Sequence, residues 1–220
     1  MDASQKPIAL IAGATGLVGG ACLRLLAIDA GVGEVRALVR RSPAVPPVPD
    51  AVIPVRECVV NYERLEDSSD CFGVDWVFCT LGTTMAQAGS RAAFRRVDFD
   101  YPLAVARLAR THGATHFLLV SAAGANARSV FFYNRVKGEL EQALRALNYP
   151  ALTIARPSLL LGERGERRAG EEVAKRLSWL APSPWRPVHA RQVAAALVDA
   201  AHAHRRGVRV LDNPSLRAFP

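Results

Sequence analysis

Ile8-Ala9-Leu10-Ile11-Ala12-Gly13-Ala14-Thr15-Gly16-Leu17-Val18-Gly19 is the stretch that decides how this chain folds. The apolar run from Pro7 to Ala12 shows no polar alternation, which suits a strand buried on both faces. Three glycines follow at the spacing G-x-x-G-x-x-G. Apolar residues then recur at helical spacing (Leu17, Val18, Cys22, Leu25, Leu26), predicting a helix over 17–28. Gly13 allows a tight turn off the strand. Gly16 lets backbone N–H groups approach a pyrophosphate, and Gly19 lets the helix pack closely on the strand. The helix start then offers N–H donors and its positive dipole end to phosphate. Three glycines alone also suit a plain tight turn. A strand before them, a helix after them and a second strand at 34–39 select a dinucleotide-binding βαβ unit.

Along the rest of the chain, strand-like runs alternate with helix-like ones. Further strands are expected at 55–60, 75–80, 115–121, 151–156 and 208–211. Helices are expected at 91–112, with an interruption near Pro102, and at 131–147 and 192–204. The proline-rich stretch Ser42 to Pro49 suits neither helix nor central strand. This alternation predicts an α/β fold: a Rossmann-type, doubly wound parallel sheet with helices on both faces. Residues 1–220 read as a single NAD(P)-binding domain, with 157–190 forming a small substrate-side lobe.

Composition narrows the functional classes. With half of its 220 residues apolar, the chain can build one sizeable core and is not a disordered chain. Its apolar runs are strand-length, which excludes a membrane span. Met1 to Pro7 lacks the pattern of a secretory signal, so a cytoplasmic location is expected. Cys22, Cys58, Cys71 and Cys79 lie far apart with no histidine at metal-ligand spacing. They are expected to be reduced and buried, and no metal is expected. Net charge is +8, with 28 basic against 20 acidic residues. The arginines are scattered, and no aromatic–basic interleaving points to nucleic acid. The expected partners are a small-molecule substrate or a regulatory protein.

The end of the second strand bears on the cofactor. A carboxylate there would accept ribose hydroxyls; the residues present are Arg40 and Arg41. Guanidinium groups bind a 2′-phosphate bidentately and stack on adenine, so NADPH (NADP) is expected over NADH. The alternative is a pair of surface charges at a strand end. Farther on, Tyr133 and Lys137 stand at i and i+4 on one helix face. An ammonium beside a phenol favours the phenolate, which suits Tyr133 to general acid–base work. Ser121 ends the preceding strand, twelve positions before Tyr133, where it is expected to orient a substrate oxygen.

Five segments carry a resemblance over nearly the whole chain: Cys79-Thr80-Leu81-Gly82-Thr83-Thr84, Arg96 to Tyr101, Ser121-Ala122-Ala123-Gly124-Ala125, Tyr133 to Glu139, and Ala155-Arg156-Pro157. The chain resembles the atypical short-chain dehydrogenase/reductases, and more narrowly the Tat-interacting oxidoreductase (CC3 tumour suppressor) family with its bacterial relatives. That resemblance implies a Rossmann fold binding NADPH. It implies contacts from Thr15, Gly16, Leu17 and Val18, from Arg40 and Arg41 at the 2′-phosphate, and from Leu81 and Gly82 after the fourth strand. Tyr133 would be the proton donor or acceptor, with Lys137 its partner. Leu160 and Arg168 would lie over the nicotinamide end. Asn61-Tyr62 stands where an Asp-Phe pair is usual, and Ala122 replaces a second serine. The expected function is NADPH-dependent hydride transfer to or from a small carbonyl or alcohol. The alternative is a non-catalytic NADP(H)-sensing regulator, suggested by the short stretch of chain after Arg156.

Overall fold

In the computed structural model, which describes residues 6–162 and 185–220, nine strands form. They are β1 (Ile8–Ala12), β2 (Glu34–Val39), β3 (Val55–Val59), β4 (Trp76–Cys79), β5 (His116–Val120), β6 (Ala151–Ala155), β7 (Leu160–Leu161), β8 (Val188–His189) and β9 (Gly207–Leu211). Seven of them make one sheet in the order β3-β2-β1-β4-β5-β6-β9, with every neighbouring pair parallel. β7 and β8 form a separate two-stranded pair. The sheet reverses direction of growth at β1, between β2 and β4. In a parallel α/β sheet that switch point opens a crevice beyond the strand carboxyl ends, where ligands bind. The architecture is Rossmann-like.

The helices are α1 (Leu17–Ala27), α2 (Met85–Ala88), α3 (Arg91–Arg95), α4 (Tyr101–Thr111), α5 (Phe132–Arg145), α6 (Ala190–Ala203) and α7 (Asn213–Arg217), with a 3-10 helix at Leu65–Phe72. They cover both faces of the sheet, because alternate strand residues point to opposite sides. Ala9 and Ile11 of β1 pack into the layer with Cys22 and Leu26 of α1 and Val193 and Leu197 of α6. Leu10 and Ala12 pack into the layer with Val105 and Ala109 of α4 and Leu140 and Leu144 of α5. All four cysteines are buried free thiols, and burial pushes Cys22 and Cys79 up to about 12.

The helix expected over 91–112 is divided into α3, a π-helical turn at Arg96–Asp100, and α4. Pro102 has no N–H for the carbonyl of Asp98, four residues back, and its ring crowds that carbonyl. The widened turn lies directly before it. The 3-10 helix, α2, α7 and the β7/β8 pair went unpredicted, because segments this short carry no periodic apolar signal. Of the lobe expected at 157–190, the structure describes β7 and β8; residues 163–184 lie outside the described residues.

Candidate functional site

The sheet register aligns the carboxyl ends of the central strands. Ala12 pairs with Cys79, Cys79 with Leu119, and Val120 with Ala155. The residues just after these ends are therefore neighbours along one edge: Gly13, Thr80 to Gly82, Ser121 and Arg156. Most of the residues singled out from the sequence lie on this edge.

The turn after β1 is built on close backbone approach. Gly13 has φ +96°, in the left-handed region. Its carbonyl accepts the N–H of Gly16 at 2.9 Å. A Cβ on Gly19 would lie 2.1 Å from the Gly13 oxygen and 2.6 Å from Thr80 Oγ1. The Thr80 hydroxyl lies 3.0 Å from the Ala12 carbonyl and 3.1 Å from that of Gly13, tying the end of β4 to the turn. Among the described residues no side chain caps the start of α1, and its first turn holds no acidic residue. That start is thus left with backbone donors and a positive dipole end, which fits a pyrophosphate. Thr15 is exposed, whereas Val18 is buried and has only its backbone to offer. Thr80 was missed in the sequence because its role needs β4 beside β1.

Arg40 and Arg41 follow β2 and are exposed, with no ion-pair partner among the described residues. The loop after them is held in place by Glu57, which accepts the N–H groups of Ala44 and Val45, both at 2.7 Å, and the Ser42 hydroxyl. Arg40 stands beside a pair of stacked rings, Tyr62 and Tyr101, with centroids 5.1 Å apart. Burial pushes the Tyr62 phenol above its ordinary range, and the Arg40 charge pulls against it. The departure Asn61-Tyr62 thus puts an aromatic surface within electrostatic reach of Arg40.

The other end of the site is organised by Asp98. The π-helical turn directs its carboxylate inward, where it is fully buried. One oxygen lies 2.7 Å from Lys137 Nζ, and the other accepts the Thr83 N–H at 2.9 Å. Lys137 is itself 4 % exposed. Burial works to lower the lysine's pKa, but the Asp98 carboxylate, helped by the Tyr133 phenol, raises it above its ordinary value. The side chain therefore stays an ammonium. A Cβ on Gly82 would sit 3.4 Å from the Asp98 carboxylate and 3.7 Å from Lys137 Nζ. One turn earlier on α5, Tyr133 is 39 % exposed, with its ring 5.5 Å from that of buried Phe94 on α3. A partly open phenol next to a buried, paired ammonium can exchange a proton with a bound oxygen.

Ser121 stands at the end of β5, beneath α5. Its hydroxyl is buried and donates to Glu141 Oε1 at 2.6 Å, so its proton is committed to a carboxylate. Glu141 in turn receives a two-pronged contact from Arg156. The sequence places Ser121 at the right strand end, but α5 brings Glu141 over it. Leu160 lies in β7 and packs against the α1 side of the core. A Cβ on nearby Gly162 would come within 2.9 Å of Leu17 Cδ2, so the chain after β7 rests against the start of α1. Arg168 lies outside the described residues.

Comparison with known proteins identifies the family and the fold. The sequence matches the NAD(P)H-binding family over residues 13–204. It is 42 % identical over 132 residues to the protein HTATIP2 of Rattus norvegicus, covering 60 % of this chain and 54 % of that protein, so the match spans about half of the rat protein's length. It is 38 % identical over 162 residues to the mitochondrial protein FMP52 of Eremothecium gossypii, covering 74 % of this chain and 70 % of the relative. Among solved structures, MoeE5 in complex with UDP-glucose and NAD shares the fold, with TM-score 0.69 and 19 % identity over 92 % of this chain and 74 % of its own. The relatives overturn one expectation. FMP52 proteins of several fungi are named mitochondrial, which points away from a purely cytoplasmic location. The residues before Ile8 could not reveal this, because absence of a secretory pattern does not specify a compartment.

Proposed function

The chain belongs to the NAD(P)H-binding family, and from that premise we propose that it is an NADP(H)-dependent oxidoreductase of the short-chain dehydrogenase/reductase type, acting on a small carbonyl or alcohol. The observation that carries this reading is the Asp98–Lys137 ion pair at 2.7 Å, buried one helical turn from the half-open Tyr133 phenol. The bound cofactor supplies or accepts hydride at the substrate carbon. In the reducing direction Tyr133 gives its proton to the substrate oxygen as charge develops there; in the oxidising direction it takes the proton back. Lys137 holds a positive charge beside the phenol, and Asp98 fixes that charge in place. The start of α1 holds the pyrophosphate, and Arg40 and Arg41 hold the 2′-phosphate.

Tyr133→Phe removes only the proton-bearing oxygen from a partly exposed ring. NADPH affinity should stay within about twofold, while turnover on a carbonyl and alcohol panel should fall by 10²-fold or more, on the order expected for loss of a general acid. The readout is nicotinamide absorbance for turnover and fluorescence titration for affinity. Turnover undiminished in the phenylalanine variant would remove Tyr133 from the mechanism.

For the arginines, Arg40→Ala with Arg41→Ala should weaken NADPH by about tenfold or more, as expected for losing charge-assisted bonds to phosphate. NADH affinity should hardly change. Equal loss for both cofactors would assign the pair to surface charge. A second reading, a sensor that binds the cofactor without turnover, is favoured by Ser121: its hydroxyl is committed to Glu141 and is not free to hold a substrate oxygen. Tight NADPH binding with silence across the panel would select it.

A further inference from the structure

A cavity of about 360 Å³ lies on a different face of α5 from Tyr133. That volume is within the range of small-molecule sites. Its wall combines Asn126 and Ala127 of the loop after β5, Glu141, Gln142 and Arg145 of α5, and Arg156 after β6. These α5 residues sit between about a quarter and half a turn round the helix from Tyr133. The cavity opens beyond the carboxyl ends of β5 and β6, whereas the glycine turn follows β1. The strand order puts roughly 10–14 Å between them. The loop lies directly on α5 here: a Cβ on Gly138 would fall 2.1 Å from the Ala127 nitrogen. One side of the cavity is therefore closed by loop backbone packed on α5.

A count of donors and acceptors indicates what it would hold. Glu141 is 3 % exposed, and both of its oxygens are taken, by the Ser121 hydroxyl and by Nε and one terminal nitrogen of Arg156. Its charge is thereby neutralised by the guanidinium fork. The Asn126 side-chain oxygen accepts the N–H of Arg128 at 2.9 Å, which leaves its amide nitrogen as the remaining group. The terminal nitrogen of Arg156 that does not touch Glu141 keeps its N–H donors. The side chains of Arg145 and Gln142 are exposed and make no hydrogen bond or ion pair with the described residues. Nearly every unsatisfied side-chain group on the wall is thus a donor, and the uncompensated charge is that of Arg145. Donors of this kind, with one net positive charge, suit an acceptor-rich anion.

We propose that this cavity is a second small-molecule site, separate from the cofactor turn, which takes the phosphate or carboxylate group of a small ligand. The test is an amide chemical-shift titration of isotope-labelled protein saturated with NADP, using inorganic phosphate in one arm and succinate in the other. Saturable shifts are expected at Asn126, Ala127 and Gln142. Arg145→Ala and Gln142→Glu should each weaken binding about tenfold, while Arg205→Ala, at an exposed arginine on another surface, should leave it unchanged. Both α5 side chains are exposed, so these variants keep the fold. The arm with tighter binding identifies the anion class. Shifts confined to the glycine turn, a weakening shared equally by the Arg205 variant, or no saturable shift in either arm would overturn the proposal.

Discussion

Gly19→Ala is expected to destroy cofactor binding and to lower stability by about 3 kcal/mol or more, at or above the upper end for overpacking a filled site. The added methyl carbon would stand 2.1 Å from the Gly13 carbonyl oxygen and 2.6 Å from Thr80 Oγ1. Neither neighbour can withdraw freely. Gly13 is the turn itself, held at φ +96° and bonded to Gly16. Thr80 continues from β4, which is paired on both sides. Relief would have to come from α1 moving off the sheet, taking its phosphate-binding start with it. Urea denaturation gives the stability change and fluorescence titration the affinity. A fully stable Gly19→Ala protein that binds NADPH normally would show that the turn is looser than its geometry indicates.

Asp98→Ala should be similarly severe for a different reason. It leaves the Lys137 ammonium inside the protein with no counter-charge, a loss of about 3–5 kcal/mol for a broken buried pair. Lys137→Met alone strands the carboxylate and should cost a comparable amount. The double variant Asp98→Leu with Lys137→Met removes both charges together. It should recover most of the stability, because the desolvation of two ions disappears with their attraction. A double-mutant cycle measured by denaturation checks this, with strong coupling expected between the two positions. The recovered protein should still lack turnover, since the positive charge beside Tyr133 is gone. Simple additivity of the two single losses would mean that the pair does not hold itself together as the 2.7 Å contact indicates.

The two expectations differ in how far the sequence foreshadowed them. Gly13, Gly16 and Gly19 were legible because the constraint is local: strand, turn and helix are consecutive, and the glycine spacing states where backbone must approach backbone. The strand runs were legible for the same reason, since a central parallel strand is apolar along its length. The second strand was read at 34–39 and forms at Glu34–Val39. Asp98 was not read as a site residue. Its place depends on a π-helical turn before Pro102 and on α5 arriving from forty residues away. Ser121 was read as a group that orients a substrate oxygen; its contact with Glu141 was not legible, because strand position can be read from the chain but the arrival of Glu141 over it cannot.

The alternating order of strands and helices, the glycine turn, and the arginines and tyrosine helix that follow particular strands are all written in the chain. These rest on periodicity and on spacing between near neighbours, which a linear chain records directly. Which side chains meet depends on how the elements pack. The sheet order β1-β4-β5-β6 brings Thr80 to the glycine turn, and the packing of α5 joins Asp98 to Lys137 and Glu141 to Ser121 and Arg156. Each of those contacts joins residues on different elements. The burial that makes an unpaired charge or hydroxyl costly exists only once the elements have packed.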